Sequence, residues 1–135
     1  MIKKLNLNLF KIVSLLTSVL FAYLFFTLLF NSDSFIRGLG IQSCESSLFI
    51  GRRASIFMLG ISILMLGSIN LPNSKARQVI CLATGITMFG LACMGSYEFI
   101  RGTVNSSILM AITIETILGI SFGIIFFINR IVKKT

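Results

Sequence analysis

The chain has 135 residues, 56% hydrophobic and 12% charged, with a net charge of +8 and a mean hydropathy of +0.98. A soluble fold of this size lacks the polar surface to cover so much apolar area, and a disordered chain would be far more polar. There is no histidine, so His-based metal sites and the commonest general base are removed, and no metal, cofactor or catalytic residue is expected.

The first apolar segment, residues 12–30, follows Lys3, Lys4 and Lys11. Its long aromatic stretch, with no A-x-A site after it, predicts a retained span rather than a cleaved leader. Residues 31–53 then form an outer connection. Phe35, Ile36 and Leu39 share one side of a short helix there, suited to resting on the membrane surface. The second span is predicted over residues 54–71. Its helix opens at a Ser43 or Cys44 cap, with Glu45 in the first turn where a carboxylate suits the dipole. Asn70-Leu71-Pro72-Asn73-Ser74 reads as a turn. A third span over residues 79–97, a short link from Arg101 to Ser106 and a fourth span over residues 108–128 complete the pass.

Each span is close to the ~20 residues that cross ~30 Å of hydrocarbon. With no water to satisfy the backbone, helices are the only choice at these lengths. Short links imply antiparallel neighbours. The expected fold is one all-α domain over residues 1–135, an integral membrane four-helix antiparallel bundle.

Orientation follows from Lys and Arg. Lys3, Lys4, Lys11, Lys75, Arg77, Arg130, Lys133 and Lys134 fall on one side, and Arg37, Arg52, Arg53 and Arg101 on the other. Both termini are therefore expected in the cytoplasm of a multi-pass inner (plasma) membrane protein. This bias also accounts for the basic charge without a nucleic-acid partner. The acids Asp33, Glu45, Glu98 and Glu115 all lie toward the outer side. The inner charges need only the orientation rule; the outer ones look like pairing.

Glu115 is the most informative residue, because it lies inside the fourth span. Counting from Arg130 at ~1.5 Å per residue puts it ~22 Å from the inner boundary. A carboxylate there should face the bundle and find a partner or keep its proton. Arg52 or Arg53 is expected to pair with it, and Glu98 with Arg101 or the other arginine. Such a network is either a polar pocket that anchors a ligand or couples protons, or a buried ion pair that sets helix register. Ser121 is the only polar residue read further along that span, so no complete ion path is expected.

Gly119 and Gly123 form a G-x-x-x-G, Gly60 and Gly67 share a face, and Gly85, Gly90 and Gly95 punctuate the third span. Small residues let membrane helices approach closely, within one chain or between copies. The hydroxyls of Tyr23, Thr27, Thr84, Thr87 and Ser96 are given no role, because such groups usually bond to their own backbone. Cys44 is expected exposed, a Cys44–Cys93 bridge is conceivable on the outer side, and Cys81 belongs near the inner face.

Arg52-Arg53 with Phe57-Met58-Leu59-Gly60, then Tyr97-Glu98-Phe99-Ile100-Arg101-Gly102, then Ile114-Glu115, resemble a pattern in small bacterial membrane proteins, the four-helix DoxX-like group. The resemblance covers roughly residues 35–125. It implies a four-helix bundle with Glu in the last span and Arg at the start of the second, and no established activity. The expected function is a non-enzymatic binding or accessory module for a lipid, a hydrophobic small molecule or a membrane partner, with homo-oligomers an option. The alternative is a small oligomeric transporter or channel with Glu115 as its titrating residue. The site candidates are Glu115, Glu98, Arg52, Arg53, Arg101 and Glu45.

Overall fold

The computed structural model describes the backbone over residues 2–132 and side chains over residues 7–129. The side chains of Lys3, Lys4, Arg130, Lys133 and Lys134 lie outside the described residues. Five helices follow one another: α1 (Ile2–Phe30), α2 (Ser32–Gly38), α3 (Glu45–Ser68), α4 (Lys75–Ile100) and α5 (Ile108–Val132). Among the described residues no strand occurs. Four helices are long and apolar enough to cross a membrane, over Leu7–Phe30, Glu45–Ser68, Lys75–Ile100 and Ile108–Asn129. The chain is an all-helical membrane protein.

Local chemistry sets the helix ends. α3 starts at a Cys44–Ser47 capping box, in which the Ser47 hydroxyl accepts from the Cys44 N–H at 2.9 Å. Glu45 is therefore in the first turn, as the sequence suggested, and the helix begins well before the apolar run at residue 54. α4 starts at Ser74, whose hydroxyl accepts from the Arg77 N–H at 3.3 Å. It stops where Gly102, at φ +72, lets Thr103 N–H reach back to the Glu98 carbonyl at 3.1 Å.

α1 packs along α3, and α4 along α5; the two pairs meet through a shorter contact between α1 and α5. The short 69–74 link does not make α3 and α4 comparable packing partners. The reason is which face of α3 can be approached. Its buried residues are Ser55, Ser62, Met65 and Ser68, mostly small, and they turn toward α1. Ser18 and Ser62 each donate to the other's carbonyl at 2.9 Å, which locks α1 to α3 across a close approach. On the other pair, Gly85 lies against Phe122 and the Gly119 carbonyl, Gly95 against Ile108 and Ile112, and Gly119 against the Phe89 ring. Among the described residues, Gly60, Gly67, Gly90 and Gly123 have nothing within 4 Å of an added Cβ. The glycines therefore divide between packing within the chain and open faces.

The apolar core joins Phe10, Val13 and Phe21 of α1, Met65 of α3, Cys81 and Met88 of α4, and Leu118, Phe122 and Ile125 of α5. α2 sits against the α1–α3 pair, with Ile36 buried and its tip 4.0 Å from where a Gly51 Cβ would stand. The expected short helix is present, and its Ile36 faces protein.

Candidate functional site

Burial is uneven along the molecule. On α1 the buried residues run from Phe10 to Phe21, and on α5 from Leu118 to Asn129. Beyond them, residues 22–30 of α1 and 108–117 of α5 contain no buried side chain. At that end α4 still packs on α5, through Gly95 on Ile108 and Ile112, and α3 on α2, through Gly51 on Ile36. The buried stretches of α1 and α5 thus stop at Phe21 and Leu118, and past them the side chains of both helices are half-buried or exposed. Asn105 ties the two pairs together at that end. Its N–H donates to the Leu39 carbonyl at 2.8 Å and its side-chain amide to the Gly38 carbonyl at 3.0 Å.

Glu115 stands at the edge of this region. It continues the stripe of Leu118, Phe122, Ile125 and Asn129, spaced so that all five share one face of α5. Its side chain is half-buried. Among the described residues it makes no ion pair and no hydrogen bond. Arg52 and Arg53 are both exposed, and Arg53 lies over the Phe49 ring at 5.6 Å. α3 makes no substantial contact with α5, so neither arginine is carried to Glu115. The expected Glu115–Arg52 or Glu115–Arg53 pair is therefore replaced by a lone carboxylate. Glu98 does meet Arg101, at 3.5 Å one helical turn apart, and Arg101 also lies over the Tyr97 ring at 5.4 Å. Glu45 is exposed in the first turn of α3.

A second polar group forms outside the spans. Arg37 Nε donates to Asp33 at 3.0 Å and to the Ser43 hydroxyl at 3.2 Å, while Ser43 itself donates to Asp33. The Ser43 hydroxyl and then the Arg37 guanidinium hold the Asp33 carboxyl below its usual range. An open cavity of about 390 Å³ lies beside them, lined by Arg37, Gly40, Ile41, Gln42 and Ser43. The three cysteines are free, with Cys44 and Cys93 exposed and Cys81 buried. This corrects the conceivable Cys44–Cys93 bridge. The Ser47 N–H and hydroxyl at the α3 cap lower the Cys44 thiol's pKa.

Two residues escape the sequence reading. Arg77, assigned there only to orientation, is 1% exposed, with its guanidinium 4.2 Å from the Phe10 ring centre. Asn129 is 2% exposed, so Ser121 is not the only polar side chain beyond Glu115. Both were legible as stripes: Arg77, Cys81, Thr84 and Met88 recur at helical spacing, as do Leu118, Phe122, Ile125 and Asn129. Ser14, Thr17, Ser18 and Thr84 are also buried. Phe21, Leu118 and Phe122 stand on the same stripes between these groups and Glu115. Thr87 and Ser96 bond to their own backbone carbonyls at 2.9 and 2.7 Å, as expected of hydroxyls in such helices.

Comparison with protein families, with curated proteins and with solved structures finds no match to this chain.

Proposed function

We propose that this protein is a small multi-pass module of the inner (plasma) membrane that binds a lipid or hydrophobic molecule between its two helix pairs. It is not an enzyme in this reading. The helices form an antiparallel four-helix assembly with both termini in the cytoplasm, as the Lys and Arg distribution favours, and the short motifs around Arg52, Glu98 and Glu115 relate it to the DoxX-like group. One observation carries the reading. The buried stretches of α1 and α5 stop at Phe21 and Leu118, and beyond them Glu115 stands half-buried without an ion pair among the described residues, where both helices carry only half-buried or exposed side chains. Intramembrane ionisable residues face interiors or cavities and mark functional sites. Apolar concavities with few polar groups are the usual form of a small-molecule site.

Native mass spectrometry of the purified protein tests this. Ala111 lies one turn before Glu115 on the same stripe and is half-buried. The wild type should retain an apolar molecule or bind added dodecanol, and Ala111→Trp, which fills the region, should not. Equal retention by both proteins, or none by either, would sink the proposal.

The buried Ser14, Thr17, Thr84, Arg77 and Asn129 favour a second reading, a small oligomeric transporter or channel with Glu115 as its titrating group. In that reading the apolar layer of Phe21, Leu118 and Phe122 must open. Proton- or ion-driven flux in liposomes, abolished in Glu115→Gln, is its test.

A further inference from the structure

The site of the proposed function has a charge preference, and the inference here rests on that reading. We propose that its occupant is an apolar molecule carrying a protonated amine, held by an ion pair with Glu115.

Three hydroxyls of α4 and α5 at this end are already committed. The Thr116 hydroxyl donates to the Ile112 carbonyl at 2.7 Å, Thr113 to Leu109 at 2.8 Å, and Ser96 of α4 to Ala92 at 2.7 Å. Each hydroxyl has one proton to give, so none of the three can also donate to Glu115. The arginines at this end are placed elsewhere. Arg37 binds Asp33 and Ser43, Arg101 binds Glu98, Arg53 covers Phe49, and Arg52 is exposed. Glu115 is thus a carboxylate without an internal counter-charge among the described residues, on the face that carries Leu118 and Phe122. An anion is repelled there. A neutral apolar molecule gives the group no counter-charge, so that it must keep a proton in low dielectric. A molecule with a hydrocarbon body and an ammonium head matches both the apolar face and the charge.

Depth separates two sources of such an amine. Glu115 is seven residues into α5, which begins at Ile108, about 10 Å along the helix axis. A bilayer phosphatidylethanolamine keeps its amine at the headgroup level. The occupant is therefore a free hydrophobic amine and not a lipid headgroup.

The test uses the full chain in phosphatidylcholine nanodiscs, with dodecylamine and dodecanol as probes and empty discs as the partition background. Dodecylamine should bind the wild type at least ten-fold more tightly than Glu115→Gln. Dodecanol should bind both alike, and Glu98→Gln should behave as wild type. Glu115→Asp, which keeps the charge, should keep the preference for amine over alcohol even if Glu115→Gln fails to fold. Equal binding of amine and alcohol by the wild type overturns the charge preference and leaves the apolar site standing. Binding of neither probe above background overturns the proposed function with it. Loss of dodecylamine binding when phosphatidylethanolamine replaces half the lipid identifies a headgroup occupant and also overturns the inference.

Discussion

The Arg77 guanidinium lies 4.2 Å from the centre of the Phe10 ring, and both side chains are buried. The contact joins the start of α4 to α1. A cation in the first turn of a helix opposes the dipole, and a buried one also loses its hydration. The ring face offsets part of this, with up to about 2 kcal/mol available in a desolvated setting. A double-mutant cycle of Phe10→Leu and Arg77→Met, read by thermal unfolding in detergent, should give a coupling of about 1–2 kcal/mol. Additive losses would mean that ring and cation are neighbours without mutual stabilisation.

Ser18 and Ser62 bond reciprocally across α1 and α3. Hydrogen bonds between membrane helices average about 0.6 kcal/mol, so Ser18→Ala should lower stability only slightly. Ser18→Leu should lower it far more, because the added side chain occupies the space through which Ser18 reaches the Ser62 carbonyl. Similar midpoints for the two variants would show that the close approach is unimportant.

The glycines make opposite predictions. A Cβ on Gly119 would lie 3.1 Å from the Phe89 ring, while one on Gly60 would meet nothing within 4 Å among the described residues. Gly119→Leu should separate α4 from α5 and cut the thermal midpoint sharply. Gly60→Leu should leave the monomer's stability unchanged. If Gly60→Leu instead shifts the protein to a smaller species in size-exclusion chromatography with light scattering, the open face of α3 is an interface between copies.

Cys44 should be the fastest thiol to react. It is exposed, and the Ser47 N–H and hydroxyl favour its thiolate, so its folded pKa lies below the usual thiol value. In a Cys93→Ser variant, iodoacetamide labelling should rise with pH to a midpoint below that of a free cysteine. Ser47→Ala should move the midpoint up. A midpoint at the free-thiol value in both proteins would remove the role of the cap.

Glu115→Gln should leave the thermal midpoint unchanged or raise it. Breaking a buried ion pair costs about 3–5 kcal/mol, but the carboxylate is half-buried and has no ion-pair partner among the described residues. A large loss of stability would restore the structural pair that the sequence suggested.

Lowering the pH should loosen the α2 loop. The Asp33 pKa is depressed by Ser43 and Arg37, so its contribution is present above the usual carboxylate range and is lost as the pH falls through the lowered value. Asp33→Asn should remove this acid step from proteolysis of residues 39–44, and an unchanged step would assign it elsewhere.

Much of the architecture was legible because hydrophobic length is a local property. Four runs near the bilayer thickness, a turn at Pro72, and a cap at Cys44 before Glu45 are read within one segment. The Glu98–Arg101 pair was legible for the same reason, since residues three apart share a helix face. The Glu115 partner was not, because it depended on whether α3 or α1 packs beside α5. The sequence placed Arg52 and Arg53 at a suitable depth, but depth says nothing about which helices are neighbours.

From its sequence alone this protein is helical, membrane-sized in its spans and charged unequally at its two ends, because each of these follows from how many apolar or charged residues stand in a row. Tertiary structure alone decided that α1 pairs with α3 and α4 with α5, that Arg77 is buried under Phe10, and that Glu115 stands beyond the buried stretch of α5. In a bilayer nearly every face of such helices is apolar, so hydrophobicity does not choose partners. Small side chains that permit close approach do, and where Ser62, Gly85 and Gly119 find their mates is known only once the helices have met.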